Sequence, residues 1–429
     1  MVRQAIRRAL LAVVFASPAC AAGGIFLTGL ARAADWPQFR GPNRTDVSDE
    51  KNLLKQWPAG GPPVLWNAKG YGEGFSSISV VGDRIYSMGD KGDGSFLTGS
   101  DRANGKILWA APVGKPGGNY KGTRCTPTVD GDRVYGLGQF GDFVCCDSAT
   151  GKELWRKNFQ KDFGGKHGAW EFTESPLVDG DRLVCTPGGN DATMVALNKL
   201  TGEVIWKGVV PGGDTAGYSS IVISEAAGIR QYVQLMANGL VGFAAADGKM
   251  LWRYGDKGDR FGGNTANIPT PIVQGDYIFA SAGYGRGGGL IKLVASGGGI
   301  HVEEIYFDHE LRNRHGGVVL VGDYIYGDRD DNGFPWCAEW KTGKIRWKKD
   351  KRTEGQGSAA VTYADSHLYF QYDNGLVALV AASPDAYKEI STFKIPEARP
   401  PCWAHPVVVG GKLYIRNQDT LWCYDVTQK

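Results

Sequence analysis

The sequence predicts an all-β fold, an eight-bladed β-propeller of four-stranded antiparallel blades, and three observations carry that prediction. A strand-like phrase ending in a Gly-Lys turn and a tryptophan returns about every 46 residues, a period that belongs to solenoids, propellers and arrays. A second landmark, a tight turn followed by an aliphatic or aliphatic–aromatic pair, recurs eight times. The last unit ends one strand short, and an orphan strand stands ahead of the first, so the two complete one blade and remove two exposed sheet edges.

Taken in order, the chain opens on a leader. Arg3, Arg7 and Arg8 precede an apolar stretch from Leu10 to Phe15, extended through Ile25, Phe26 and Leu27. Ala31-Arg32-Ala33 then offers the small-x-small pattern of a signal peptidase site. Residues 1–33 read as a signal peptide, and the remainder as exported, periplasmic or extracellular. Arg7-Arg8 ahead of Leu10-Leu11 is a partial twin-arginine pattern lacking the usual Ser or Thr before it. Cys20 follows Ser17-Pro18-Ala19, which is not the sequence of a lipid-attachment site.

The four arginines of that leader take the formal net charge of +3 to −1 when it is removed. Bulk charge therefore attracts neither nucleic acid nor anionic lipid, and no later apolar run approaches the length of a membrane span. Seven of the eight cysteines lie beyond the leader, and an odd number argues against a complete disulfide framework. A chain of this length builds a core without such staples. A monomer is expected.

Residues 34–62 form an N-terminal extension, and 63–429 the propeller. The orphan strand is Pro63-Val64-Leu65-Trp66. The recurring phrase is clearest at Gly99–Trp109, Cys145–Trp155 and Ala196–Trp206, with further copies ending at Trp252 and Trp347. Units five and seven depart, placing Tyr306 and Phe393 near the tryptophan position. The turn landmarks are Ile85-Tyr86, Val134-Tyr135, Leu183-Val184, Tyr232-Val233, Ile278-Phe279, Ile325-Tyr326, Leu368-Tyr369 and Leu413-Tyr414. The residue two before the motif Asp is small in most units (Gly99, Cys145, Ala196, Gly242, Cys337, Ala378, Cys423), which predicts close packing there. The tryptophan itself is expected to bury its ring against the neighbouring blade.

The phrase small-x-Asp-x-x-Thr-Gly-Lys-x-x-Trp resembles the tryptophan-docking motif of the quinoprotein (PQQ-like) β-propeller family. That family includes PQQ-dependent alcohol dehydrogenases and the outer-membrane assembly scaffold BamB. Asp35–Gly41 and Glu174–Asp181 resemble an exported PQQ-like branch. The resemblance spans nearly all of the chain beyond the leader and is specific for fold, while its members range from enzymes to scaffolds.

Three features bear on chemistry. Adjacent Cys145 and Cys146 match the vicinal disulfide that the resemblance places over a quinone. Their position inside the docking phrase, with Cys145 in the small-residue register, instead predicts packing, because buried free cysteine behaves as a small hydrophobe. Asp328, Asp330, Asn332 and Glu339, with Gly333 between, fit the spacing of a calcium loop. Strands flank them rather than helices, and a polar glycine turn is the plainer reading.

The third feature is the set of loops that lead into the innermost strands, which should line one mouth of the central channel. By register they carry Phe75, Arg124, Thr173 with Glu174, Tyr218, Asn267, Arg314 with His315, Ser358, and Trp403 with His405, with Trp170 and Glu171 just upstream. Converging cations, carboxylates, amides and aromatics make a pocket; a water-filled polar channel is the alternative. The expected binding residues are Arg124, Glu174, Asn267, Arg314, His315, Trp403 and His405. The resemblance implies PQQ and calcium there, with arginines on the carboxylates, Trp403 on the quinone face, and Glu174 and Asn267 on the cation.

Other motifs are wanting. There is no Cys-x-x-Cys-His haem site, the six histidines lack zinc spacing, and the glycines of 285–289 precede no helix. No equivalent of the aspartate base of quinoprotein dehydrogenases is found. The leading reading is therefore an exported, non-catalytic propeller that binds a protein partner or small ligand at a channel face. The alternative is a PQQ- and calcium-dependent alcohol dehydrogenase, moving hydride from the alcohol carbon to the quinone. A BamB-like outer-membrane assembly scaffold is the third, weakened by the missing lipid anchor.

Overall fold

The computed structural model of the protein describes residues 35–330, 332–351 and 354–429, so the expected leader lies outside the described residues. Beyond a two-residue strand β1 (Val47–Ser48) and a six-residue strand β2 (Val64–Lys69), the chain forms eight successive antiparallel sheets. These blades one to eight span 79–114, 128–158, 177–208, 222–254, 272–308, 318–348, 359–394 and 407–425. The ring closes as the sequence predicts. Blade eight contributes three strands of its own, and β2 pairs antiparallel with its last one, Trp66 opposite Cys423. β1 adds a parallel fifth strand to blade seven, Val47 opposite Tyr363.

The docking phrase acquires a physical reason in the register. Each small residue stands opposite its own blade's tryptophan: Gly99 against Trp109, Cys145 against Trp155, Ala196 against Trp206, Gly242 against Trp252 and Cys337 against Trp347. A register shift next to that pair throws the ring over the sheet. A Cβ on Gly99 would sit 2.3 Å from the Trp109 ring, so bulk is excluded there. The same ring covers the turn glycine of the next blade, Trp109 on Gly151, Trp155 on Gly202 and Trp206 on Gly248. Trp155 and Trp206 also donate Nε1 to carbonyls of that turn, each at 3.2 Å. Tyr306 replaces the tryptophan in blade five, opposite Leu290. In blade seven the expectation shifts by one residue. Thr392 faces Ala378, and Phe393 packs instead on Trp57 and Tyr424 at 5.2 and 5.0 Å.

The core is a series of wedges between blades, such as Met88 and Leu97 with Tyr135 and Phe143 and onward to Leu183 and Leu197. At the inner strands a belt of hydroxyls joins neighbours. Ser77 N donates to Thr126 Oγ1, Thr126 N to Ser175 Oγ, Ser175 N to Ser220 Oγ and Ser220 N to Thr270 Oγ1, at 2.9–3.1 Å. The cysteines Cys125, Cys145, Cys146, Cys185, Cys337, Cys402 and Cys423 are buried and free. Cys145 and Cys146 form no disulfide, and burial pushes both thiols up to about 12. No helix among the described residues is long and apolar enough to cross a membrane.

Candidate functional site

The belt sets the face of the channel. Two residues ahead of each belt position, in extended chain, the side chain returns to the same face. Phe75, Arg124, Thr173, Tyr218 and Ile268 occupy that place, and all five line a single pocket together with His315 and Trp403. Arg314, Trp170, Tyr120 and His405 join them. The space measures roughly 850 Å³ counting its open mouth.

Of the sequence-predicted binding residues, Arg124, Arg314, His315, Trp403 and His405 come together, and Glu174 and Asn267 do not. Glu174 sits one residue out of register, so it turns into blade three, accepting from Thr186 N and Gln234 Nε2. Burial there raises its carboxyl to about 7. Asn267 is also one residue off, with Ile268 in the lining place. Its Nδ2 donates to the carbonyls of Met236, Ala237 and Phe261 at 2.9–3.0 Å and ties down the blade-four loop.

The predicted calcium residues are separated. Asp330 receives the backbone N–H groups of Tyr284 and Gly285, and Asp328 that of Ala359. Glu339 pairs opposite Tyr324, four residues along the strand from Asp328, which is roughly 13 Å at the rise of a β-strand. It accepts instead from Thr342 and Arg346. Among the described residues no three His, Cys, Asp or Glu side chains cluster to hold a metal ion.

The pocket walls are aromatic and cationic. His315 stacks on Trp403 at 4.3 Å, Phe75 lies tilted against it at 4.6 Å, and Tyr120 meets the indole edge-on at 4.9 Å. Arg124 is held 3.4 Å from Glu171 and 6.0 Å from the Phe75 ring centre, and Arg314 lies 5.0 Å over Tyr284. Burial, helped by Arg314, His405 and Arg124, keeps His315 well below the usual histidine range, so its ring is neutral. A short helix, Phe159–Phe163, capped by Asn158, packs Phe159 on Phe172 at 5.2 Å and sets the loop that presents Trp170. Among the described residues the lining carries no carboxylate.

The floor comes from an unexpected place. Residues 35–48, ahead of the repeats, run as a strap beneath the channel. Trp36 pairs with Val80 of blade one, Pro37 O accepts from Val129 N of blade two, and Asp46 O accepts from Tyr363 N of blade seven. Arg44 donates to the carbonyls of Ser175 and Pro176 beside blade three. Arg40 donates to Thr270 O beside blade five and Val318 O of blade six. Ser48 Oγ donates to Val408 O of blade eight. Phe39 and Arg40 of this strap line the pocket from below. In the sequence it shows as the Asp35–Gly41 motif followed by an arginine and an aspartate among turn residues, with nothing to mark it as a floor.

The donor set can be tested against PQQ and calcium. Arg124 and Arg314 suit carboxylates and Trp403 suits a planar ring. A calcium ion needs six to eight oxygens, and the nearby carboxylates are committed: Glu171 to Arg124 and Asn119 N, Glu174 to the interior of blade three, Asp46 to Arg40 and His405. The residues present fit a planar anion and do not fit the calcium centre.

Comparison with known proteins gives the family and the fold. Residues 93–349 match the family model described as outer membrane protein assembly factor BamB. The BamB assembly factor of Shewanella oneidensis is 23% identical over 326 residues, covering 66% of this chain and 74% of that protein. A tetrathionate hydrolase of Acidithiobacillus ferrooxidans is 23% identical over 333 residues, covering 74% of this chain and 52% of its own, so the chain spans about half of it. The quinohemoprotein alcohol dehydrogenase of Comamonas testosteroni shares the fold, with a TM-score of 0.62 at 13% identity over 93% of this chain and 82% of that one.

Proposed function

Since the chain belongs to the family described as outer membrane protein assembly factor BamB, we propose that it is an exported binding propeller whose channel-mouth pocket takes a small anionic ligand or an acidic group of a protein partner, without catalysing a reaction. One observation carries this reading: a floored pocket lined by arginines and aromatic rings, with no carboxylate among its described residues. Such a lining attracts an anion and stacks a flat body. Among the described residues it offers no oxygen cluster for a divalent cation. Export rests on the leader pattern of residues 1–33 together with the outer-membrane setting in the family's description.

The experiment is a calorimetric titration of PQQ, used as a planar polycarboxylate, with and without calcium. The binding reading expects the same affinity in both, and its loss in Arg124→Ala and Trp403→Ala. Tight binding only with calcium, followed by oxidation of a primary alcohol in a dye-linked assay, would replace the reading with the dehydrogenase. Absence of heat would withdraw the small planar anion. The remaining test is then partner capture by wild type against Arg124→Ala, His315→Ala and His405→Ala, and unchanged capture removes the channel mouth altogether.

A further inference from the structure

The pocket floor holds a charge arrangement that anion binding alone does not require. His405 Nδ1 lies 2.9 Å from Asp46 Oδ2, and its Nε2 lies 3.3 Å from the His315 carbonyl oxygen. A carboxylate and a carbonyl only accept hydrogen bonds, so a ring that satisfies both donates from both nitrogens. Donation from both nitrogens requires the doubly protonated ring. The same Asp46 oxygen lies 2.8 Å from Arg40 Nε, with both of those side chains 1% exposed. With that ring doubly protonated, one buried carboxylate stands between two cations and positive charge is left over at the base of the pocket.

The groups facing His405 are consistent with this. The strap presents Arg40, Asp46 and the Phe39 ring, at 5.0 Å edge to face. The loop before blade six presents the neutral His315 and, beside it, Arg314, while Arg124 stands on the wall before blade two. Gly317 leaves room for the cluster. A Cβ there would lie 3.3 Å from His405 Cε1 and 3.5 Å from an Arg40 nitrogen, at a backbone φ of +71°. On the wall above, Trp403 Nε1 and His315 Nδ1 are buried without a partner in the protein. Indole Nε1 can only donate, so it calls for an acceptor brought from outside.

We propose that the strap makes this pocket a proton-gated seat for a small planar anion, with His405 as the gate. The proposal rests on the binding reading above and adds the ligand's charge and the control of its affinity. With two ring protons, His405 leaves the floor cationic. When one is lost, Arg40 and Asp46 neutralise each other and the attraction from below disappears.

Two measurements on the full chain test it. Nitrogen NMR of the histidine rings, assigned by His405→Gln, reads the proton count directly at about pH 7, inside the range where imidazole changes charge. Two protonated nitrogens are expected in wild type and one in Asp46→Asn; a neutral wild-type ring overturns the gate. The second is calorimetry with benzenetricarboxylate, with its uncharged triamide as control, from about pH 5 to pH 8. Affinity is expected to fall on the order of tenfold across that range, a change of ~1.4 kcal/mol, and to stay level in His405→Gln. A level wild-type profile overturns the gate and keeps the pocket. No binding at any pH, with the imidazolium seen by NMR, overturns the pocket reading and the gate with it.

Discussion

At the scale of single residues, burial decides what a charge does here. Glu174 is lifted from an ordinary 4.5 to about 7 by burial, against the opposing pull of the Thr186 N–H and of Arg44. The unfolded chain releases that proton near 4.5 and the folded chain holds it to about 7. Stability supplied by the protonated form is therefore lost as pH rises through that window. The amount is about 3 kcal/mol. Glu174→Gln is expected to flatten the slope of the urea midpoint between those pH values; an unchanged slope would show that another group sets it. Arg416 is the opposite case. Its guanidinium, brought down to about 10 by burial, donates to the carbonyls of Ser76, Met88, Tyr71 and Gly72. A cation there serves to satisfy backbone carbonyls where blade eight meets blade one.

At the scale of elements, the strand β2 is where the ring is sealed. Trp66 on that strand covers Gly105 of blade one, where a Cβ would meet its ring at 2.5 Å, and leans on Tyr414 at 6.0 Å. It joins the first and last blades in one contact, as Trp155 joins blades two and three. Trp66→Ala is expected to cost about 3 kcal/mol and to raise hydrogen exchange in β2 and the 420–425 strand before the other blades. Uniform exchange would mean that closure depends on the backbone ladder alone.

Much at this scale was legible in the sequence, because strand, turn and docking residues recur locally and repetition averages out accidents. The eight blades and the closing strand follow from register, and five of the seven candidate residues line one pocket. The misses have one cause. A strand reverses its faces at every residue, so reading Glu174 and Asn267 one place from the lining turned both away from the channel. The calcium spacing misled for a related reason, since its helix-loop geometry brings together residues that a β-strand spreads along its length.

At the scale of the whole molecule, the strap is the part that turns a ring into a vessel. Arg40, Arg44 and Asp46 hold left-handed backbone, with φ of 63°, 56° and 55°, a conformation that costs each of order 1–3 kcal/mol and persists only under strong surrounding constraint. Arg40 supplies that constraint through Asp46 and the carbonyls of Thr270 and Val318. Arg40→Met leaves Asp46 and those carbonyls buried without it, at an expected cost of about 3–5 kcal/mol. Protease cleavage within 35–48 and loss of anion binding should appear together in that variant. Cleavage with binding intact would show that the strap does not build the floor.

A closed ring of eight blades and its sealing strand can be read from the amino-acid sequence, because each is a local pattern repeated until it is unmistakable. That the channel has a floor, which cations stand on it and which carboxylates are spent elsewhere become visible once the chain is folded. Those depend on contacts such as Arg40 to Thr270 and to Val318, 230 and 278 residues apart along the chain. Such pairs share no period and no spacing, and they meet only once the blades have closed around the strap.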